Sequence, residues 1–214
     1  MPALANSTRT ASFALVFTAI SALLLSGLST AARAADYTID KDHSHVGFTI
    51  RHLVGEVPGS FKDFAGDFSF DEKKPENAKV KVTVQTASVN TDNEKRDSHL
   101  KSPDFFDVQK FPTMTFESTQ VTAEGDKKFK VTGNFTLRGV TKPETFNVTY
   151  AGTAKDPWGN TRVGFIATSK INRKDFGMVW NKVLDAGGAM LGDEVEIKLN
   201  IEAIQKAGAD KAKK

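Results

Sequence analysis

The chain has 214 residues, no cysteine, and 29 basic against 26 acidic residues, which gives a formal net charge of +3. The lack of cysteine excludes a disulfide-bonded scaffold, so hydrophobic packing must stabilise the fold. Without a clustered basic segment, this near balance of charges is not typical of a nucleic-acid-binding protein, and we predict no nucleic-acid partner.

The N-terminal segment has the pattern of an export signal. Arg9 precedes an apolar stretch at residues 13–25 (FALVFTAISALLL), and Ala-Arg-Ala at residues 32–34 supplies the small residues that a signal peptidase requires. The apolar stretch is shorter than the roughly 20 residues of a membrane-spanning helix, so we expect cleavage after about Ala34 and no stable membrane insertion. We therefore divide the chain into a cleaved signal peptide (1–34), one domain (35–205) and a flexible basic tail (206–214).

Alternation of apolar and polar residues with a period of two dominates the chain from residue 36 to residue 204. It is clearest at residues 80–84, 129–137, 146–150 and 195–201. Such alternation is typical of half-buried strands, and one polar face per strand favours antiparallel pairing. We count about eight strands with no long helix between them, which predicts an all-β barrel or sandwich.

One short helix is predicted around residues 96–106 (RDSHLKSPDFF). Thr91 followed by Glu94 has the spacing of a capping box, and Pro103 ends the helical pattern. Leu100 is the single large apolar residue between residues 92 and 102, so we expect the helix to lie across the body of the domain.

The same stretch contains Asp97, Ser98 and His99, which are the residue types of a hydrolase triad. A triad needs a hydrogen bond between its serine and its histidine. Consecutive residues of a helix point about 100° apart, so these three side chains do not face one another. We predict no catalytic residue here.

Histidines provide the alternative, enzymatic hypothesis. His43 and His45 are two residues apart, and on a strand this spacing places both side chains on one face. His52 and His99 complete the four histidines of the chain. A metal-assisted hydrolase or a lipid-modifying enzyme using His43 and His45 therefore stays open, although both are equally consistent with polar residues at a strand end, and we assign neither a metal nor a cofactor.

Phenylalanine is unusually abundant. The chain has 16, and 14 of them follow residue 34, since only Phe13 and Phe17 precede it. Buried phenylalanine contributes apolar area without a polar atom that needs a partner. Because an eight-stranded barrel either is filled by its own side chains or holds one small ligand, composition leaves a solid core and an apolar cavity as alternatives.

Sequence elements in a fixed order resemble those of the YceI family, which consists of secreted bacterial proteins with a lipocalin-like barrel that bind polyisoprenoid lipids. The matching elements include the segments YTID (37–40), HSHVGFTIRHL (43–53), GSF (59–61), FAG (64–66), FSFD (68–71), RDSHLKSPDFFD (96–107), FP (111–112), FES (116–118), LRGVTKP (137–143) and NRKDFG (172–177). They cover nearly all of residues 36–203.

The resemblance implies a lipocalin-like antiparallel β-barrel of about eight strands with one or two short helices. It also implies a periplasmic protein whose internal pore holds a long isoprenoid chain, such as an isoprenoid quinone, for carriage, storage or stress response. Other long-chain amphiphiles are compatible with the family, which offers no catalytic residues to transfer. We therefore expect a lipid-binding protein and not an enzyme, with a homodimer left open.

Residues are assigned to this pore in two groups. The expected walls are Phe48, Phe64, Phe68, Phe106, Phe116, Phe135, Phe165 and Met178. For the mouth, where polar groups would bind the lipid head group, we expect Arg96, Asp97 and His99. An ordinary hydrophobic core is the alternative for each wall residue, and tethering of the helix is the alternative for Arg96 and Asp97.

Overall fold

The computed structural model describes residues 34–185 and 187–207. The predicted signal peptide, apart from its last residue, and the predicted tail from residue 208 onward lie outside the described residues. In the described part, no helix is both long enough and apolar enough to cross a membrane.

Eleven antiparallel strands form a single sheet in the described part of the chain. The strands in chain order are β1 (Ala35–Ile39), β2 (His45–His52), β3 (Gly55–Phe61), β4 (Phe64–Phe70), β5 (Lys79–Gln85), β6 (Val89–Asn90), β7 (Thr113–Ala123), β8 (Lys128–Leu137), β9 (Val140–Lys155), β10 (Thr161–Asn172) and β11 (Leu191–Gln205). One α-helix, α1 (Glu94–Lys101), lies between β6 and β7. Short 3₁₀ segments occur at Lys41–His43, Pro75–Asn77, Thr86–Ser88 and Arg173–Phe176.

The sheet closes into a barrel. Eight strands pair in the order β1, β4, β5, β7, β8, β9, β10 and β11, and β11 pairs with β1 to complete the ring. The other three strands extend this ring, because β2 pairs with β11 and β3, and β3 pairs with β6. The predicted lipocalin-like antiparallel barrel of about eight strands is therefore confirmed. Eleven strands occupy eight positions around the barrel, because β1 and β2, β3 and β4, and β5 and β6 are each two parts of one interrupted barrel strand.

Two of these shared positions are interrupted by short helical segments with specific hydrogen bonds. Between β1 and β2, the Asp40 side chain accepts a hydrogen bond from the backbone N–H of Asp42 at 3.1 Å and caps Lys41–His43. Between β5 and β6, the buried Thr86 donates from Oγ1 to the carbonyl oxygen of Phe111 at 2.8 Å. At both breaks, side-chain hydrogen bonds to the backbone take the place of strand pairing.

The alternation of apolar and polar residues in the sequence corresponds to side chains that point into the barrel and side chains that point to solvent. Along β8, Phe129, Val131, Gly133, Phe135 and Leu137 are buried, and the residues between them are exposed or half-buried. A strand with this pattern turns one face to the interior and the other to water. The interior of the barrel is consequently apolar and rich in phenylalanine.

The predicted capping box is wrong in detail. The N-cap of α1 is Asn93, whose side chain accepts from the backbone N–H of Arg96 at 3.0 Å. Thr91 is instead buried two residues earlier, where its Oγ1 donates to Asp97 at 2.5 Å. Asparagine is as good a cap as threonine, and its position one residue before the helix gives it the required geometry.

Candidate functional site

A cavity of about 550 Å³ lies inside the barrel. Its walls are almost entirely apolar, and every predicted wall residue lines it: Phe48, Phe64, Phe68, Phe106, Phe116, Phe135, Phe165 and Met178. Six of these eight side chains belong to the hydrophobic core, and the other two, Phe48 and Phe165, pack against it. The same phenylalanines therefore form the hydrophobic core and line a cavity, so the solid core and the apolar cavity that composition left as alternatives are not exclusive.

The cavity is elongated along the strands. On β8 its lining extends from Val131 to Leu137, and at about 3.3 Å per residue this corresponds to roughly 20 Å. On β11 it extends from Leu191 to Ile201. The shape suits a long, narrow apolar molecule better than a compact one.

Aromatic side chains seal one end of the cavity, which we call the plug end. The ring of Phe70 lies 5.3 Å from that of Tyr150, 6.1 Å from Phe129 and 5.1 Å from Phe165. Phe70, Phe129 and Tyr150 are buried. Edge-to-face and tilted contacts of this kind fill the barrel near the β9–β10 turn.

The opposite end, which we call the mouth, is where the cavity lining reaches exposed side chains. Three segments come together there: the turn between β2 and β3, helix α1, and the connection from β10 to β11. The lining residues from these segments and the residues next to them include His52, Thr91, Lys95, Arg96, His99, Phe105, Met178, Trp180 and Met190. Lys95 and Arg96 are exposed, so the cavity opens to solvent beside α1.

Arg96 is one of the predicted mouth residues that line the cavity. Its Nε donates to Thr91 Oγ1 at 2.7 Å, and its Nη2 donates to the Thr91 carbonyl oxygen at 2.7 Å. Arg96 therefore both tethers the helix and lines the mouth, so its two interpretations are compatible.

Asp97 does not line the cavity. Its Oδ1 accepts from the backbone N–H of Thr91 at 2.9 Å and from the Thr91 hydroxyl. The carboxylate thus turns away from the cavity to satisfy a buried threonine. This position corresponds to the tethering alternative and not to contact with a head group.

His99 lines the mouth and joins its two sides. Its Nε2 lies 2.8 Å from Asp104 Oδ2, and its ring makes edge-to-face contacts with Phe105 at 5.0 Å and Trp180 at 4.8 Å. Trp180 also packs against Phe105 at 5.3 Å. An aromatic cluster therefore links α1 and the segment after it to the connection between β10 and β11.

Arg173 positions that connection from within the protein. Its side chain is 2% exposed and donates to the carbonyl oxygens of Gly192, Met178 and Trp180 at 2.8, 2.5 and 2.8 Å. Burial lowers the pKa of the guanidinium, and Asp193, 3.3 Å away, acts in the opposite direction. Backbone carbonyls supply most of the partners that a buried charge requires.

Sequence reasoning missed Arg173, Trp180, Lys95 and Met190 as residues of the site. Arg173 lies within the matching segment NRKDFG, but nothing in the sequence shows that its charge is buried. Trp180 carried the better signal, because it is one of only two tryptophans and follows Met178 and Val179 in an apolar run outside any alternating pattern.

Four exposed aliphatic residues flank the mouth on two neighbouring loops. They are Leu53, Val54, Val179 and Val183. The loops are joined by a hydrogen bond from the Leu53 backbone N–H to the Met190 carbonyl oxygen at 2.9 Å.

The histidines of the enzymatic alternative lie elsewhere. His43 is in the 3₁₀ segment and not on a strand, so the expectation that His43 and His45 share one strand face is wrong. His43 Nδ1 lies 2.8 Å from Asp40 Oδ2, and Asp40, His43 and Glu202 form a group with ligand atoms within 4.8 Å of one another. His45 is not part of that group.

Arg162 already occupies the carboxylates of this group. Its Nη1 donates to Asp40 Oδ2 at 2.7 Å and to Glu202 Oε1 at 2.6 Å, and its Nε donates to Asp156 Oδ2 at 3.0 Å. The hydrogen bond from Arg162 is the main cause that lowers the pKa of Asp40. A cation would have to replace a guanidinium that is already bound, so the group is explained as an ion-pair network.

The fold and the cavity together define a class: a closed, lipocalin-like antiparallel barrel with an elongated apolar cavity and one open end. The protein-family model described as YceI-like domain matches residues 37–203. The chain belongs to the YceI family.

Known proteins similar to this chain support the same assignment. The protein YceI of Salmonella arizonae is 47% identical over 192 residues, which cover 88% of this chain and 95% of that protein. The crystal structure of the Campylobacter jejuni YceI protein has a TM-score of 0.65 at 36% identity and covers 78% of this chain and 96% of that one.

A more distant structure shares the fold. It is a polyisoprenoid binding domain from Saccharophagus degradans, with a TM-score of 0.56, 15% identity, and coverage of 81% of this chain and 99% of that one. At this identity the likeness concerns the barrel itself.

Proposed function

We propose that this protein binds one long-chain apolar lipid, a polyisoprenoid or an isoprenoid quinone, inside its barrel. The observation that carries the proposal is the elongated cavity of about 550 Å³, whose walls are aromatic and aliphatic from the plug end to the mouth. Ligand sites commonly measure about 300–1,000 Å³ and are predominantly apolar. The family resemblance supports an isoprenoid chain in particular.

The energy of such binding comes from removing the lipid from water. Each buried methylene contributes about 0.8 kcal/mol, so a dozen buried carbons contribute roughly 10 kcal/mol before the cost of association. No catalytic group is needed for that transfer. Binding alone accounts for the geometry of the cavity, and we propose carriage, storage or a stress response in the periplasm as its use.

The predicted signal peptide supports a periplasmic location. A protein that is exported and cleaved near Ala34 meets lipids at the membranes that bound the periplasm. Comparing the N-terminal residue of the protein purified from the periplasmic fraction with that of the full-length chain tests both the cleavage and the location.

Extraction with organic solvent followed by mass spectrometry tests the ligand directly. We expect a prenyl lipid in stoichiometric amount with the protein purified from its native host. Recovery of no lipid, together with no binding of added quinone, would overturn the proposal. Loss of a hydrolytic activity on chelation that survives removal of lipid would favour the enzymatic alternative at His43 and His45.

A pair of substitutions tests whether the space is real. Ala167 lines the cavity, whereas Ala203 is fully buried and does not. Because overpacking a filled core costs about 1–3 kcal/mol, Ala203→Leu should lower the free energy of unfolding by that amount. Ala167→Leu should cost less than about 1 kcal/mol and should weaken lipid binding, because its methyl groups enter the ligand's space.

The pair is read by urea denaturation and by lipid titration. Equal losses of stability in both variants, with unchanged lipid binding in Ala167→Leu, would show a solid core and contradict the proposal.

A further inference from the structure

One glycine of the barrel faces the cavity without lining it. Val57 and Phe61 on β3 both line the cavity, and Gly59 lies between them on the same face of the strand. Gly59 itself is not among the lining residues. A side chain from a neighbouring strand therefore lies between this glycine and the cavity.

That side chain is Phe48 on β2, the direct partner of Gly59 across the β2–β3 pair. A Cβ atom at position 59 would lie 2.7 Å from Cε1 of the ring and 2.9 Å from Cε2, and Cζ is closer still. Ordinary contacts of a Cβ atom begin at 3.4 Å, so Cε1 would have to move by about 0.7 Å or more. The lack of a side chain on Gly59 thus lets the Phe48 ring lie against the wall.

The same arrangement occurs on another wall of the barrel. Gly133 on β8 also lies between two lining residues, and a Cβ atom there would lie 2.6 Å from Cζ of Phe116, which lines the cavity. The backbone carbonyl oxygen of Glu117 is closer still, so at this position the backbone excludes a side chain as well. At Gly59 the three nearest atoms all belong to the Phe48 ring, which makes it the position where a side chain would act on the cavity alone.

Phe48 lies about midway along the cavity. Its partner on β11 is Ile197, near the middle of the stretch of β11 that lines the cavity. On its other side, the ring of Phe61 lies 5.7 Å from that of Phe48. The sheet is behind Phe48, and Ile197 and Phe61 fill the wall beside it, so a ring displaced from Gly59 moves into the cavity. The position of Phe48 therefore sets the width of the cavity at this point.

We infer that Gly59 is a specificity-determining residue, which keeps the middle of the cavity wide enough for a methyl-branched chain. This inference rests on the proposed function, because the width matters only if a chain occupies the cavity. Each isoprene unit carries a methyl branch, so a polyisoprenoid is wider than a straight alkyl chain. Close-packed walls respond to the volume of a single methyl group. A Phe48 ring displaced by a side chain at position 59 excludes the branches and still admits a straight chain.

The test compares two alcohols that differ only in their methyl branches. Phytanol and hexadecanol have the same saturated main chain and the same hydroxyl group. Each is titrated into the delipidated protein in a Trp158→Phe background, where the fluorescence of Trp180, which lines the cavity, reports binding. Gly59→Ala should weaken the binding of phytanol roughly tenfold and change that of hexadecanol by less than about twofold.

Gly55→Ala is the matched control on the same strand. A Cβ atom at position 55 meets no other atom within 4 Å, so this variant should bind both alcohols as the wild type does. Phe48→Leu provides the rescue, because its shorter side chain leaves room for the added methyl group. In the double variant Gly59→Ala/Phe48→Leu, the preference between the alcohols should return to within about twofold of that of Phe48→Leu. Phe48→Leu alone should shift the preference toward phytanol, a result that does not depend on the folding of Gly59→Ala.

The possible results separate this inference from the proposed function. Equal weakening of both alcohols by Gly59→Ala, or an unchanged preference in Gly59→Ala or in Phe48→Leu, would overturn the role of Gly59 and leave lipid binding intact. A preference that the double variant does not restore would do the same, because the Phe48 ring would then not be the cause. Binding of neither alcohol by the wild type would overturn lipid binding and, with it, this inference.

Discussion

The two ends of the barrel use arginine differently. At the plug end, Arg162 binds three carboxylates, from Asp40, Asp156 and Glu202, and so joins segments that are distant in sequence. At the mouth, Arg173 binds backbone carbonyls. At the plug end a guanidinium bridges carboxylates, whereas at the mouth a guanidinium holds a loop in place through its backbone.

Under the proposed function, this difference assigns stability to one end of the barrel and ligand exchange to the other. The Arg162 network does not line the cavity, so it is positioned to stabilise the closed end without contacting the ligand that we propose enters from the mouth. The mouth carries an aromatic contact in which Trp180 packs against His99 and Phe105, and this contact is separate from the strand pairing that closes the barrel. The predictions below change one end and measure both properties.

Arg173→Met should have the largest effect. It leaves the carbonyl oxygens of Met178, Trp180 and Gly192 buried without donors, and each such group costs about 1–3 kcal/mol. We expect the free energy of unfolding in urea to fall by about 3 kcal/mol or more and lipid retention to fall with it.

Lys174→Met is the matched control for Arg173. Lys174 pairs with the same Asp193 at 2.8 Å, but its side chain is 46% exposed. Exposed ion pairs contribute at most about 1 kcal/mol, so this variant should remain close to the wild type. Similar losses in both variants would show that the contact with Asp193, and not the carbonyl contacts, positions the connection.

Acid should weaken the plug end. Burial alone raises the pKa of Asp156, but hydrogen bonds from Asn160, Arg162 and two backbone N–H groups outweigh it and lower that pKa from 3.8 to about 2. A carboxyl whose pKa is lower in the folded state stabilises the fold above its unfolded pKa. Stability should therefore decline as the pH falls from about 4 to about 2.

Arg162→Met should flatten this pH dependence. Without the guanidinium, the pKa values of Asp40 and Asp156 return toward their ordinary range, so less stability remains to be lost in acid. Urea midpoints measured across that pH range provide the test, with Lys170→Met, on the same strand and exposed, as control. Lipid affinity at neutral pH should not change; weaker binding would show that the plug end shapes the cavity.

The strands and their inward faces were predictable because apolar–polar alternation is visible within each short segment of the sequence. Alternation along β8 and β11 shows which residues face inward, and phenylalanine at inward positions forms the walls. The three interrupted strand positions were not predictable, since β2 and β1 share β11 as a partner about 150 residues away. Register between distant segments depends on the whole sheet and not on either segment.

The mouth was predictable only in part, for a related reason. Arg96 and His99 stand out as polar residues on a short helix, but the role of Asp97 depends on the burial of Thr91. Arg173 looks like an ordinary charged residue in a turn until Gly192 and Trp180 are brought around it. The function of such side chains is decided by partners that no local pattern reveals.

Trp180→Ala should give the smallest change in stability and a selective change in exchange. Trp180 contacts His99 and Phe105 across the mouth, so its removal opens that contact while the barrel and the Arg173 bonds to the backbone remain. We expect lipid to dissociate roughly tenfold faster, which corresponds to about 1.4 kcal/mol, with little change in the urea midpoint.

Trp158→Ala is the control, because Trp158 is 80% exposed in the β9–β10 turn at the plug end. Dissociation measured by transfer of lipid to acceptor vesicles should be unchanged in that control; faster release from both variants would mean that the two ends do not divide stability and exchange between them.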